Sequence, residues 1–301
     1  MDLYHDAVAF ASALRGRGRG TTFPRLVGAG ASLASVRTAV TRGRLTRVAR
    51  NAYVSHNPGS ILDRLTALLR VMPEGAAISH HTAAMLHGFG VLESVRPHIV
   101  LPRGCAIPQL RGVVTHEAVR RFAPVELFGI PCVPAARAAI DVARLVRRRD
   151  ALPVLDAALH STACTAASLA DEVAHQAGLR GVRQARELVT LADPRPVCKQ
   201  ESQLRLLIHD HGLPAAVPQL PVLDEWGNTR FILDLGYQRE RVGVEYDGAS
   251  HLTRLNLRKD RSRHNWLELN GWAMRYATDA DLYGNPISFI ANLRNTLATR
   301  R

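Results

Sequence analysis

The stretch FILDLGYQRERVGVEYDGASH, Phe231–His251, contains two strand-like segments joined by a polar turn. Apolar residues lead up to Asp234, and apolar residues then alternate with Glu245 and Asp247, which is the two-residue period of a strand. A hairpin turn centred within Tyr237–Val242 places Asp234 opposite Glu245 across the strand pair. The pattern therefore predicts an antiparallel hairpin that carries three carboxylates.

Like charges that face each other in a sheet are unfavourable, so these carboxylates need compensation by a cation, a proton or distance. Hard oxygen ligands favour Mg²⁺ or Mn²⁺, which predicts a metal site made by Asp234, Glu245 and Asp247. An alternative needs no ion. In it Asp234 caps a strand end, Asp247 begins a turn with Gly248, and Glu245 pairs with an arginine.

The composition is that of a globular protein, with 47% hydrophobic and 22% charged residues in a chain of 301. This length allows two domains. No apolar stretch is long enough to span a membrane and no signal peptide is evident, so we expect a cytoplasmic protein without a membrane partner. The cysteines lack CxxC spacing, which argues against a zinc ribbon and a disulfide framework; they are Cys105, Cys132, Cys164 and Cys198.

The chain is strongly basic, with a formal net charge of +13 from 39 basic and 26 acidic residues. All the basic residues except Lys199 and Lys259 are arginines, and residues 1–197 hold 25 of the bases against 14 acids. Such a surplus favours salt-dependent binding to a nucleic acid, for which double-stranded DNA is the expected partner. A general bias towards arginine, which also aids solubility, is the alternative.

The first predicted region, residues 1–60, has the element order of a winged helix. A basic Arg-Gly linker at 15–20 follows an initial helix, and helices at 24–29 and 32–41 precede two strand-like pieces around 44–48 and 52–54. Arginines on the second helix and on the hairpin suit a major groove and its flanking phosphates. The predicted DNA-binding residues here are Arg37, Arg42, Arg44, Arg47 and Arg50.

The second predicted region, residues 61–193, mixes helices and strands. The predicted helix at 79–88 carries His80, His81 and His87, but neither HExxH nor a pair of histidines four residues apart occurs. Without that spacing, packing or surface roles are favoured over metal ligation.

The third predicted region, 198–301, begins after the helix-breaking Asp193–Pro196. Its pattern predicts the order α-β-β-β-α-β-α, which suits a mixed sheet flanked by helices and makes the whole chain α/β (α+β) in class.

Several residues of this third region together resemble the domain related to very-short-patch repair endonucleases, within the PD-(D/E)xK nuclease superfamily. The resemblance covers roughly residues 198–300 and implies a restriction-endonuclease-like fold. The residues that carry it are Glu201, Asp234, Val244–Gly248 with His251, Asp260, Arg263, Leu269–Trp272 and Arg275.

The resemblance to nucleases implies Mg²⁺- or Mn²⁺-dependent hydrolysis of DNA phosphodiesters. It makes Asp234, Glu245 and Asp247 metal ligands, adds Glu201 and His251 as catalytic residues, and adds Lys259 and Arg263 as DNA-binding residues. One departure is that Asp247 stands where the superfamily has a lysine that orients the nucleophile. His251 is the expected substitute, because a neutral imidazole can act as a general base near pH 7.

The earlier part of the chain is similar to AbiEi-type antitoxin and regulator proteins, in which a winged helix precedes a mixed domain. The residues that carry this similarity are Gly43–Val48 with Tyr53–Val54, and Ser79–His80 with Ala83–Ala84 and Leu86–Gly88. It implies a transcriptional regulator with a protein partner such as a cognate toxin.

Two functions are therefore expected from the sequence. The first is a DNA endonuclease in which a basic N-terminal module holds the DNA. The second is a non-enzymatic AbiEi-like regulator whose nuclease-like domain is degenerate. Cleavage of RNA is a further alternative, and no oligomeric state is indicated.

Overall fold

The structure is a computed structural model, and its contacts divide the chain into two compact units, residues 1–141 and 142–301. The sequence-predicted boundary at 193–197 falls inside the second unit. No helix within the described part of the chain is both long and apolar enough to cross a bilayer. The described residues are 20–55, 61–92, 94, 96–108, 110–248 and 254–300, with the side chains of 254–260 left out.

The first unit opens with a small module in which two helices precede two strands, as predicted, but strand β1 before them was not predicted. The predicted initial helix and most of the Arg-Gly linker lie outside the described residues. Its three-stranded sheet has the order β1-β3-β2. Ser32 caps the second helix through a reciprocal bond with Ser35, and the side chains of Leu26, Val36 and Leu45 are buried in a shared core. The elements are β1 (Gly20–Thr22), α1 (Phe23–Gly28), α2 (Leu33–Thr41), β2 (Leu45–Ala49) and β3 (Ala52–Ser55).

A five-stranded mixed sheet with the order β6-β5-β4-β8-β7 follows in the first unit. Strand β5 is parallel to β6, and β4 is parallel to β8, so the longer connections cross over between strands. The elements are α3 (Ile61–Leu69), β4 (Ala77–Ile78), α4 (His80–Leu86), β5 (His98–Leu101), β6 (Val114–Glu117), β7 (Val125–Leu127), β8 (Ile130–Cys132) and α5 (Ala135–Leu145), which contains the boundary between the units.

Helices begin the second unit, and an ion pair joins two of them. The Arg205 guanidinium donates to both carboxylate oxygens of Asp156, at 2.9 and 2.7 Å, and the backbone N–H of Asp193 donates to the same carboxylate at 2.9 Å. Because Asp156 is only 1% exposed, loss of either partner would leave a buried charge uncompensated. The helices are α6 (Arg148–His160), α7 (Ala166–His175), α8 (Val182–Leu191) and α9 (Lys199–Asp210).

The second unit ends in a four-stranded mixed sheet with the order β12-β11-β10-β9, and the predicted α-β-β-β-α-β-α order is confirmed. Strand β11 runs antiparallel to β10 and parallel to β12. A single π-helical turn, Ala280–Gly284, precedes the last helix. The elements after α9 are β9 (Val217–Leu223), β10 (Thr229–Tyr237), β11 (Val242–Tyr246), α10 (Arg254–Leu269), β12 (Ala273–Ala277) and α11 (Ile287–Ala298).

Two glycines face each other in the β10–β11 hairpin and let neighbouring side chains approach closely. Gly236 pairs with Gly243 in the ladder. A Cβ atom on Gly236 would lie 2.3 Å from Leu220 Cδ2, and one on Gly243 would lie 2.5 Å from Met274 Sδ. Both distances are shorter than van der Waals contact, so any larger residue at either position would overpack the core.

We expect Gly236→Ala to lower the free energy of unfolding by about 1–3 kcal/mol, the usual cost of overpacking. Gly284→Ala is the control, because a Cβ there meets no described atom within 4 Å and the change should stay within about 0.5 kcal/mol. Urea unfolding of both variants measures the difference. Equal stabilities would contradict the close packing described for Gly236.

Candidate functional site

The β10–β11 hairpin brings two of the predicted acids to one end of its ladder. The described pairing ends at Leu235 and Val244, one residue before Asp234 and Glu245. The backbone N–H of Tyr246 donates to Asp234 Oδ2 at 3.0 Å. This bond fixes the Asp234 side chain against β11.

The negative charge of Glu245 is compensated by an arginine. The Arg263 guanidinium, on α10, pairs with the Glu245 carboxylate and also donates to the Ile232 carbonyl at 2.7 Å. It lies over the Phe231 ring, 5.5 Å from the ring centroid. Arg263, a residue predicted to contact DNA, is therefore engaged within its own domain.

Glu201, near the start of α9, is a buried acid that is only 4% exposed. Its Oε2 accepts hydrogen bonds from the backbone N–H of Val197 at 3.0 Å and from the Gln219 amide at 2.8 Å. Burial raises the pKa of the Glu201 carboxyl, against the effect of the Val197 hydrogen bond, and the nearby charge of Asp234 raises it further. Glu201 and Asp234 therefore interact electrostatically.

Burial also raises the pKa of Asp234, although the Tyr246 N–H and the positive charge of Arg263 act in the opposite direction. Loss of solvent outweighs these two favourable contacts. Both Glu201 and Asp234 thus hold a proton more readily than an exposed carboxyl does, as expected for acids that are partly compensated by protonation.

The remaining predicted residues of this site lie at its edge or outside the described part. Asp247 is exposed, and its backbone N–H extends the parallel pairing by donating to the Ala277 carbonyl at 2.8 Å. His251 lies outside the described residues. Lys259 belongs to α10, but its side chain also lies outside them.

A shared Mg²⁺ requires several oxygen ligands at about 2.0–2.1 Å from one ion. Among the described residues, no three carboxylates each bring an oxygen within 4.8 Å of the others. Arg263 pairs with Glu245, and burial raises the pKa values of Glu201 and Asp234.

The predicted DNA-binding arginines of the N-terminal module are all exposed. Residues 20–55 include six arginines and no acidic residue, which makes this module a concentrated positive surface. Arg47 is oriented by a bond from its Nε to the Ala49 carbonyl at 3.3 Å. We call the set Arg37, Arg42, Arg44, Arg47 and Arg50 the arginine surface; it follows α2, the turn after it, and the β2–β3 hairpin.

Sequence reasoning missed a cluster of histidines in the first unit. His80, His98 and His116 each bring a ring nitrogen within 4.8 Å of the others. Only His80 belongs to α4, whose histidines lack metal-ligand spacing, and the other two lie on separate strands. Their approach follows from the order of strands in the sheet, for which the sequence contains no short-range signal.

Comparisons with known proteins identify relatives of the chain. Residues 76–191 match the family described as the AbiEi antitoxin C-terminal domain. Over 237 residues, the chain is 34% identical to Uncharacterized protein Rv2248 of Mycobacterium tuberculosis strain H37Rv, covering 78% of this chain and 86% of that protein. Uncharacterized protein MT2308 of strain CDC 1551 gives the same values.

Among solved structures, the crystal structure of the RV2827C protein from Mycobacterium tuberculosis matches with a TM-score of 0.44 and 17% identity. The match covers 73% of this chain and 88% of that one. The identity to Rv2248 and MT2308 extends over most of both chains. This chain therefore belongs to the family of those two mycobacterial proteins, and its residues 76–191 match the AbiEi antitoxin C-terminal domain.

Proposed function

We propose that this protein is a non-enzymatic DNA-binding regulator of the AbiEi antitoxin type, in which the N-terminal module is a winged helix that contacts double-stranded DNA. The observation that carries the proposal is the arginine surface, five exposed guanidinium groups on a module without a single acid. The family match over residues 76–191 supports the antitoxin assignment.

The shape of the module supports contact with a DNA groove. Helix α2 has nine residues, and an α-helix with its side chains is about 10–12 Å across, which fits the roughly 12 Å width of the major groove. Arg37 lies on this helix, whereas Arg47 and Arg50 lie on the hairpin beside it. A helix in the groove and a hairpin at the flanking phosphates is the arrangement that winged helices use.

The protein partner of this regulator is proposed to be a cognate toxin, as the description of the matched family implies. The compensated acids of the C-terminal sheet fit this proposal, because a hydrolase would need Glu245 available to an ion. In the regulator, the Arg263–Glu245 pair joins α10 to β11 and has a structural role.

A second candidate, a Mg²⁺- or Mn²⁺-dependent endonuclease acting on DNA, is favoured by one observation. Glu201 and Asp234 are held close enough that the charge of Asp234 raises the pKa of Glu201, and Glu201 is buried while Asp234 is half-buried. In this candidate, Asp234, Glu245 and Asp247 would hold the ion, which supplies Lewis-acid activation of a phosphodiester. Glu245 would first have to leave Arg263.

The triple variant Arg37→Gln, Arg44→Gln, Arg47→Gln is expected to bind duplex DNA more weakly and with a smaller salt dependence. The slope of log affinity against log salt is negative, and each lost phosphate contact reduces its magnitude by roughly 1. In the triple variant the magnitude of the slope should therefore decrease by up to about 3. Fluorescence anisotropy of the full chain over a potassium chloride series measures this slope.

The control is a second triple variant, Arg180→Gln, Arg183→Gln, Arg186→Gln. It removes the same charge from exposed positions in the second unit and should keep the wild-type slope. Equal slopes in the two triple variants would refute the proposed surface.

Supercoiled plasmid distinguishes the regulator from the endonuclease. The regulator is expected to bind without nicking in Mg²⁺ or Mn²⁺, and its DNA affinity should not change with EDTA. Metal-dependent nicking that Asp234→Ala abolishes, with binding intact, would establish the second candidate instead. Footprinting upstream of the protein's own gene then tests regulation directly, because an operator there should be protected.

The raised pKa of Glu201 predicts how stability depends on pH. A carboxyl whose folded-state pKa lies above the unfolded value contributes stability that is fully present below the unfolded pKa and is lost as pH rises through the folded pKa. Glu201→Gln stays neutral throughout, and its amide oxygen can accept the Val197 and Gln219 hydrogen bonds. The variant should therefore melt at a higher temperature than wild type at pH 7, with the difference shrinking below about pH 4. A lower melting temperature at pH 7 would show that the ionised carboxylate stabilises the fold.

A further inference from the structure

Three histidines from three separate elements converge in the first unit. His80 is the first residue of α4, His98 is the first residue of β5, and His116 is the third residue of β6. In the parallel ladder His98 pairs with Val114. Because side chains alternate between faces with a period of two, His116 projects from the same face as His98.

The ring nitrogens are close to the separation that a tetrahedral ion requires. His98 Nδ1 lies 2.9 Å from His116 Nε2, and the His80 ring stacks on the His116 ring with centroids 3.6 Å apart. Zinc–nitrogen bonds of 2.0–2.1 Å place neighbouring tetrahedral ligands about 3.3 Å apart. Since all three nitrogens lie within 4.8 Å of one another, changes of about 1.5 Å or less in their separations suit one ion. The hydrogen-bonded His98 and His116 nitrogens would move slightly apart, and the His80 ring would turn from its stack on His116.

The Ser79 hydroxyl contacts one imidazole of the cluster, as outer partners do in metal sites, and two further bonds fix the backbone of His98. Ser79 Oγ lies 3.0 Å from His80 Nδ1, and a hydrogen bond donated by Nδ1 leaves the lone pair on Nε2. The backbone N–H of His98 donates to Thr82 Oγ1 at 2.9 Å, and the His98 carbonyl accepts from the Ser79 N–H at 3.0 Å. These bonds join the start of α4 to β5.

The backbone at His80 has a φ angle of 49°, in the left-handed region that residues other than glycine rarely adopt. Such strain is retained where the surrounding structure holds a residue in place for a purpose. Here it aims a residue that is only 4% exposed into the cluster.

We propose that His80, His98 and His116 form a binding site for one divalent transition-metal ion of the zinc class, with a fourth position open to water. Three imidazoles suit Zn²⁺, and they exclude Mg²⁺ and Ca²⁺, which prefer oxygen ligands. The bound ion ties α4 to β5 and β6 inside the region that matches the AbiEi domain. The site is separate from the arginine surface and from the acids of the C-terminal sheet.

The test uses the full chain, purified without a histidine tag and stripped with EDTA. After loading with Zn²⁺ and dialysis, elemental analysis should find one zinc per chain, retained in a large excess of Mg²⁺. Co²⁺ should give the visible spectrum of a tetrahedral site, and Zn²⁺ should raise the melting temperature of the stripped protein.

The double variant His98→Asn, His116→Asn should bind zinc roughly 100-fold more weakly or worse and lose the Co²⁺ spectrum. His87→Gln is the matched control, because its Nε2 lies 2.8 Å from the Val133 carbonyl outside the cluster, and it should retain one zinc. Circular dichroism of the stripped proteins checks that the double variant is folded. Stoichiometric zinc in a folded double variant, or no zinc in wild type at micromolar concentrations, would overturn the proposal.

Discussion

The pairing of Arg263 with Glu245 is the interaction on which the C-terminal sheet depends. The β10–β11 ladder ends one residue before Asp234 and Glu245, where carboxylates on adjacent strands repel if they are left uncompensated. The Arg263 guanidinium on α10 pairs with Glu245 and also donates to the Ile232 carbonyl. One side chain therefore joins a helix to two strands.

The same contacts show how acidic residues are accommodated at this end of the sheet. Burial raises the pKa values of Glu201 and Asp234 and favours their protonated forms, and Glu245 pairs with Arg263. The presence of these carboxylates is therefore not sufficient evidence of catalysis. The N-terminal module carries the stronger functional signal, because its arginines are exposed and unopposed by acids within it.

The predictable parts of this molecule are those set by local patterns. The polar turn after Tyr237 sets the hairpin register, and period-two alternation with helix caps such as Ser32 sets the element order. Contacts between distant segments were not predictable. Arg263, a predicted DNA-binding residue, pairs with Glu245, and the approach of His98 to His116 depends on which strands become neighbours. Neither outcome follows from spacing along the chain, because tertiary packing decides both.

The N-terminal module contains arginines but no lysine between residues 20 and 55. A guanidinium stays charged at any physiological pH, and it is not a substrate for acetylation as a lysine amine is. Under the proposed function, neither acidification nor lysine acetylation would weaken the binding of the arginine surface to DNA. Release from DNA would instead depend on ionic strength or on a competitor that binds the same surface. Without either of these, the concentration of the protein would set the occupancy of an operator.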